Sequence, residues 1–164
     1  PVNKTASMAA NALGADGING PMCAKIIGGM TPPIGLFIAT MLKKEKFTKT
    51  ERETAKTALP MGLCFITEGV LPFAAADPAR FIPCSMLGSA VAGAIAVGAG
   101  CESVAGHGGI FVVPMMVNPM MFMVALVIGS VVTGVAYAVV KKTSVDETAT
   151  EEENIDIDLD INIV

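Results

Sequence analysis

The chain has 164 residues, 52% of them apolar and 16% charged, with 17 Gly, 11 Met, no Trp and a single His. Soluble domains carry about a quarter charged residues, so the long uncharged runs here point to a polytopic membrane protein with polar ends. One His and four Cys without a C-x-x-C pair exclude a zinc cluster, and the sparse, interrupted basic residues exclude a nucleic-acid module. The net charge of −4 belongs to the end of the chain: residues 143–164 hold eight acids and no Lys or Arg, which leaves +4 on the remainder.

Residues 26–42 form the first apolar run, just long enough for a hydrocarbon core about 30 Å thick. Pro32 and Pro33 remove two successive backbone donors, which predicts a kinked or discontinuous helix. Residues 43–56 carry six basic and three acidic side chains, the mark of a cytoplasmic loop. Thr48-x-x-Glu51 and Thr50-x-x-Glu53 in this loop both fit a capping box.

Residues 57–77 are apolar but broken by Pro60, Thr67-Glu68-Gly69 and Pro72. Halves of about eight residues, at about 1.5 Å each, cannot cross a bilayer, so the segment is expected to be a re-entrant helical hairpin turning at Thr67–Gly69. Asp77 and Arg80, three apart, are expected to form a local structural ion pair. Residues 79–100 are long enough to span, with Ser85, Ser89 and Gly93, and likewise Ala90, Ala94 and Gly98, as small-residue packing stripes. An irregular connection follows, containing Glu102 (read as interfacial), His107, Gly108 and Gly109. Residues 120–140 form the cleanest span, ending in Tyr137 and Lys141-Lys142 as an interfacial aromatic and cytoplasmic anchors. The acidic tail, 143–164, is expected to be disordered in the cytoplasm. Its Asn154–Val164 stretch alternates acid or amide with aliphatic residues, a period that would also suit pairing with another protein's sheet edge.

The fold class read from these elements is all-α: transmembrane helices plus a re-entrant hairpin. An ionisable residue at membrane depth is a functional candidate by default, and Glu68 is the strongest. It lies where two half-helices meet, and its carboxylate can accept bonds from the hydroxyls of a polyol. Thr67 and Gly69 flank it. His107, followed by Gly108 where backbone can approach a ligand closely, is the second candidate. Lys25 is expected to snorkel. No catalytic residue, metal or cofactor is expected. A proton-coupled secondary transporter, with Glu68 and His107 as a relay, and a non-transporting membrane scaffold are the alternatives.

The stretch Phe65-Ile-Thr-Glu-Gly-Val-Leu-Pro-Phe-Ala-Ala-Ala-Asp-Pro78 resembles the membrane permease (IIC) component of fructose-specific phosphotransferase systems. Lys46-Phe-Thr-Lys-Thr-Glu-Arg-Glu53, Gly106-His-Gly-Gly-Ile-Phe-Val112 and Pro1-Val-Asn-Lys4 resemble the same family, over about residues 1–142. The resemblance implies the C-terminal portion of a sugar permease of the glucose-fructose-lactose superfamily, dimeric, multi-pass in a bacterial inner membrane with a cytoplasmic C-terminus. It further implies a fructose-like substrate, an N-terminal permease half, and IIB and IIA partner domains that relay phosphate from phosphoenolpyruvate. On this resemblance the family's sugar-binding glutamate falls on Glu68, and His107 is a further contact. The IIB-type Cys-Pro-x-Gly phosphate acceptor has no counterpart here, so this chain is expected to phosphorylate nothing alone.

Overall fold

A computed structural model describes residues 20–103 and 105–142; the acidic tail and the opening Pro1–Lys4 motif lie outside the described residues. All the regular elements among the described residues are helical: α1 (Gly20–Leu42), α2 (Lys49–Leu63), α3 (Leu71–Ala76), α4 (Pro78–Gly98) and α5 (Pro119–Val140), joined by short 3-10 turns. Helices α1, α4 and α5 are each long and apolar enough to cross a membrane. The protein is an all-α membrane protein.

Of the two expectations for α1, a discontinuity at the prolines is not found: the helix runs through Pro32 and Pro33, both buried, and covers six residues ahead of the apolar run. In an α-helix the two missing donors would have bonded the carbonyls of Gly28 and Gly29, four residues back. Two hydroxyls from elsewhere replace them. Ser89 Oγ of α4 donates to Gly28 O at 2.9 Å, and Thr67 Oγ1 donates a longer bond to Gly29 O at 3.4 Å. Neighbouring Ser and Thr commonly re-satisfy carbonyls freed by proline inside membranes.

α2 begins at a complete capping box: Thr48 Oγ1 accepts from Glu51 N at 3.1 Å, and Thr48 N donates to Glu51 Oε2 at 2.9 Å. Thr50, the other candidate cap, lies inside the helix, so the basic stretch expected as loop supplies the first two turns of α2. At 15 residues α2 is about 22 Å long, shorter than a hydrocarbon core. The chain then reverses. Pro72, Phe73 and Ala76 of α3 line a small groove with Thr50, Glu51 and Thr54, so α3 ends beside the start of α2.

α5 returns to that same end. Lys46 Nζ donates to the carbonyls of Ala138 (3.0 Å) and Val139 (3.1 Å), and Lys141 Nζ meets Glu51 Oε1 at 2.7 Å. At that end Tyr137 and Lys141 turn into the protein rather than outward. Tyr137 is 0% exposed, packed edge-on against Phe47 and Phe81, and Lys141 is 5% exposed with its ammonium 4.8 Å from the Phe47 ring centroid. The aromatic groups that bury them come from segments remote in sequence. Asp77 Oδ2 and Arg80 Nη1 pair at 2.8 Å at the start of α4.

α4 meets α5 through Gly88, Ala92 and Ala96, a register not anticipated from the sequence. A Cβ on Gly88 would overlap Thr133 Oγ1 and sit 2.6 Å from Gly129 O, and one on Gly129 would sit 2.5 Å from Ala92 Cβ. The Ser85–Ser89–Gly93 stripe instead faces α1, while Ala90, Ala94 and Gly98 are exposed. Gly88→Ala is expected to cost ~1–3 kcal/mol by overpacking, whereas Gly98→Ala, with open space around it, should leave thermal stability in detergent unchanged within ~0.5 kcal/mol.

Candidate functional site

The reversal between α2 and α3 is closed by a Schellman motif: Phe65 N donates to Gly62 O at 3.0 Å and Ile66 N to Met61 O at 2.8 Å. The left-handed residue of that motif is usually glycine. Here it is Phe65, at φ +65°, a conformation that costs a residue with a side chain roughly 1–2 kcal/mol. The ring offsets that cost by anchoring the turn. It lies against Gly29 of α1, where a Cβ would overlap it, and 5.8 Å from the His107 ring centroid. Lys25 Nζ stands 6.0 Å from the same ring and donates to Gly106 O at 3.5 Å, so it is engaged at the turn and does not snorkel to an interface.

The connection 101–118 approaches the turn from the other side. Gly108 (φ +122°) and Gly109 (φ +53°) take backbone conformations that side chains rarely adopt, and a Cβ on Gly109 would overlap Leu63 O. This explains the Gly-Gly after His107: the loop backbone lies directly on the end of α2. Glu102 contributes its backbone, in an isolated bridge with Val117.

Two chain reversals therefore abut near the middle of α1. Thr67 carries the bond to Gly29, and Glu68 opens the 3-10 turn Glu68–Val70. Gly69 allows that turn to pack on α2, since a Cβ there would sit 3.0 Å from Ala58 Cα. Glu68 and His107 are both exposed, and no hydrogen bond or ion pair joins them to each other. Arg80 is taken by Asp77, so the simplest structural role for Glu68, pairing with that arginine, is not found. What the arrangement offers is a carboxylate and an imidazole on adjoining rigid turns, both presenting free polar atoms. Phe65, whose ring packs between the two turns, carries no local signal in the sequence. No group of three metal-ligating side chains occurs among the described residues.

Cys64 lies at this turn and is exposed, whereas Cys23, Cys84 and Cys101 are buried. Burial also pushes the Cys101 thiol up, leaving less reactive thiolate at neutral pH. Maleimide at pH 7 is expected to modify Cys64 first, and Cys64→Ser should remove the fast phase in a labelling time course.

No protein-family model and no solved structure matches the chain. Curated relatives do. The chain is 43% identical over 152 residues to the "PTS system fructose-specific EIIB'BC component" of Escherichia coli (strain K12), covering 91% of this chain and 27% of that protein. It is 45% identical over 141 residues to the "PTS system fructose-specific EIIC component" of Haloferax volcanii, covering 86% of this chain and 38% of the relative. It is 38% identical over 164 residues to the "Fructose-like permease IIC component 2" of Escherichia coli (strain K12), covering 99% of this chain and 46% of the relative. The chain thus spans between about a quarter and a half of the length of these relatives.

Proposed function

We propose that this chain, a homologue of part of the membrane component of fructose-specific phosphotransferase systems, forms the sugar-binding turn of a ketose permease. The reading is carried by Glu68, an acid with no ion-pair partner among the described residues, placed on a chain reversal within an apolar helical protein. On the re-entrant reading this turn lies within the bilayer, where an ionised side chain is costly unless a ligand or water-filled cavity accommodates it. Sugar hydroxyls taken from water need acceptors, and each left unmatched costs about 1–3 kcal/mol. The Glu68 carboxylate supplies two acceptor oxygens, Thr67 Oγ1 keeps an acceptor after donating to Gly29, and His107 can donate or accept. Gly69 and Gly108 keep the backbone close without side chains in the way.

The short α2–α3 hairpin is read as re-entrant from the cytoplasmic side. The cationic Lys43–Lys56 stretch and Lys141-Lys142 lie at one end, which the positive-inside rule assigns to the cytoplasm of a bacterial cell. A partner IIB domain, itself charged by IIA, would approach that end. The sugar's primary hydroxyl oxygen forms the new P–O bond as the P–S bond of the partner's phosphocysteine breaks, and the hydroxyl proton passes to the departing thiolate or to water. The product gains about two negative charges, and repulsion from Glu68 favours its release inward. The N-terminal permease half and a second copy would complete the pocket wall.

The test is membranes carrying this chain together with the remaining permease portion and the soluble partners. Fructose phosphorylation that requires phosphoenolpyruvate and survives an uncoupler is expected. Uptake that collapses with the uncoupler and ignores phosphoenolpyruvate would establish the proton-coupled alternative, and no uptake with both halves inserted would leave the scaffold.

A further inference from the structure

A cavity of about 520 Å³ lies away from Glu68, between the end of α1 and the start of α2. One wall is Phe37, Thr40 and Met41, and the other carries Lys44, Lys49, Arg52 and Lys56. Glu53 also lines the groove, paired with Lys56 at 2.6 Å. The groove is thus apolar along one side and cationic along the other.

We infer that this groove is the docking site of the chain's own acidic tail, with Ile155–Ile161 lying along α2. Its Ile-Asp-Ile-Asp-Leu-Asp-Ile sequence is the complementary object. An extended segment sends alternate side chains to opposite faces, so Asp156, Asp158 and Asp160 share one face and Ile155, Ile157, Leu159 and Ile161 the other. The aspartates recur about every 6.7 Å. Arg52 and Lys56, four apart on a helix, are separated by about 6 Å along its axis, and Lys49 by a further ~4.5 Å. The acidic face meets the cationic wall while the aliphatic face covers Phe37 and Met41, which is 56% exposed.

The tether puts the tail in reach. Lys141 is held on Glu51, in the same helical turns that carry Lys49 and Arg52, and the tail departs immediately afterwards. The 13 residue-to-residue steps from Lys142 to Ile155 extend to about 43 Å, against a helix diameter of about 10–12 Å that they must round. Tethering by so short a linker gives an effective concentration in the millimolar range, so modest affinity suffices. An acidic tail lying there would neutralise the cationic end of the hairpin and occupy the face open to an anionic partner.

The experiment uses the full chain in phospholipid membranes with photoreactive benzoylphenylalanine replacing Met41. Illumination is expected to yield a monomeric product joining position 41 to a tail peptide, falling about tenfold in D156N/D158N/D160N, a set of changes that leaves the sequence of the described helices intact. The product should also fall in about 1 M salt, where the Debye length is about 3 Å. A photoproduct with lipid alone would assign the groove to an anionic phospholipid and overturn the inference. So would a product of dimer mass, or a tail product indifferent to the three asparagines.

Discussion

Replacing Glu68 with Gln in a complete permease is expected to abolish sugar uptake, a loss of about 100-fold or more, while the protein stays in the membrane at its normal level. A hydrogen bond to a charged group contributes about 1.5–3 kcal/mol, and a carboxylate bound to two hydroxyls loses both its charge and one acceptor when it becomes an amide. About 3 kcal/mol corresponds to roughly 100-fold. The folded state should be indifferent, because Glu68 is exposed and its side chain makes no hydrogen bond or ion pair among the described residues. Exposed substitutions of that kind change stability by no more than about 0.5 kcal/mol. Uptake assayed alongside membrane abundance separates the two effects. Uptake within a few-fold of wild type would remove Glu68 from the site.

The second large effect is expected at the other end of the hairpin. Lys141→Met should destabilise the protein by about 3 kcal/mol, the low end for removing one member of a buried ion pair, because the Glu51 side chain keeps 21% exposure. Lys141 is 5% exposed, and its ammonium lies between the Phe47 and Tyr137 rings as it reaches Glu51. Without it, the Glu51 carboxylate loses that cation while its bond from Thr48 N remains. Glu51→Gln should cost less: its single amide oxygen can accept from Lys141 or from Thr48 N, which meet different carboxylate oxygens, and the Phe47 and Tyr137 rings still face the ammonium. The double variant Glu51→Gln/Lys141→Met should recover part of the loss, since neither charge of the pair remains. Unfolding in detergent, followed by fluorescence of a reporter at Cys64 or by protease resistance, measures all three. Equal stability of Lys141→Met and wild type would show that α5 and α2 are not joined there.

The membrane class of the fold was legible because uncharged runs of about 20 residues match the thickness of a hydrocarbon core. Helices α4 and α5 fall within two residues of the ranges expected from their apolar runs. What the sequence could not show is where distant groups meet. Pro32-Pro33 reads locally as a break, and α1 stays helical because Ser89 and Thr67, 61 and 38 residues away from the carbonyls they reach, take the place of the lost donors. Tyr137 and Lys141 read locally as membrane-boundary residues, and Phe47, Glu51 and Phe81 bury them. Small-residue stripes are likewise ambiguous: three registers on α4 are rich in small residues, and only the partner helix decides that Gly88, Ala92 and Ala96 make the closest contact with α5. Glu68 and His107 stand out as candidates from chemistry alone, and the structure sets them on adjoining turns. Phe65 does not stand out, because an aromatic in a left-handed turn becomes intelligible only once its ring is seen against Gly29 and His107.

The most direct test is a structure of the complete permease, with its soluble partners absent, in the presence of fructose. The account predicts a ketose at the α2–α3 turn, with hydroxyl oxygens about 2.5–3.0 Å from the Glu68 carboxylate and the His107 ring beside them, at a depth closed to lipid. A sugar bound elsewhere, with Glu68 turned to bulk water, would contradict it.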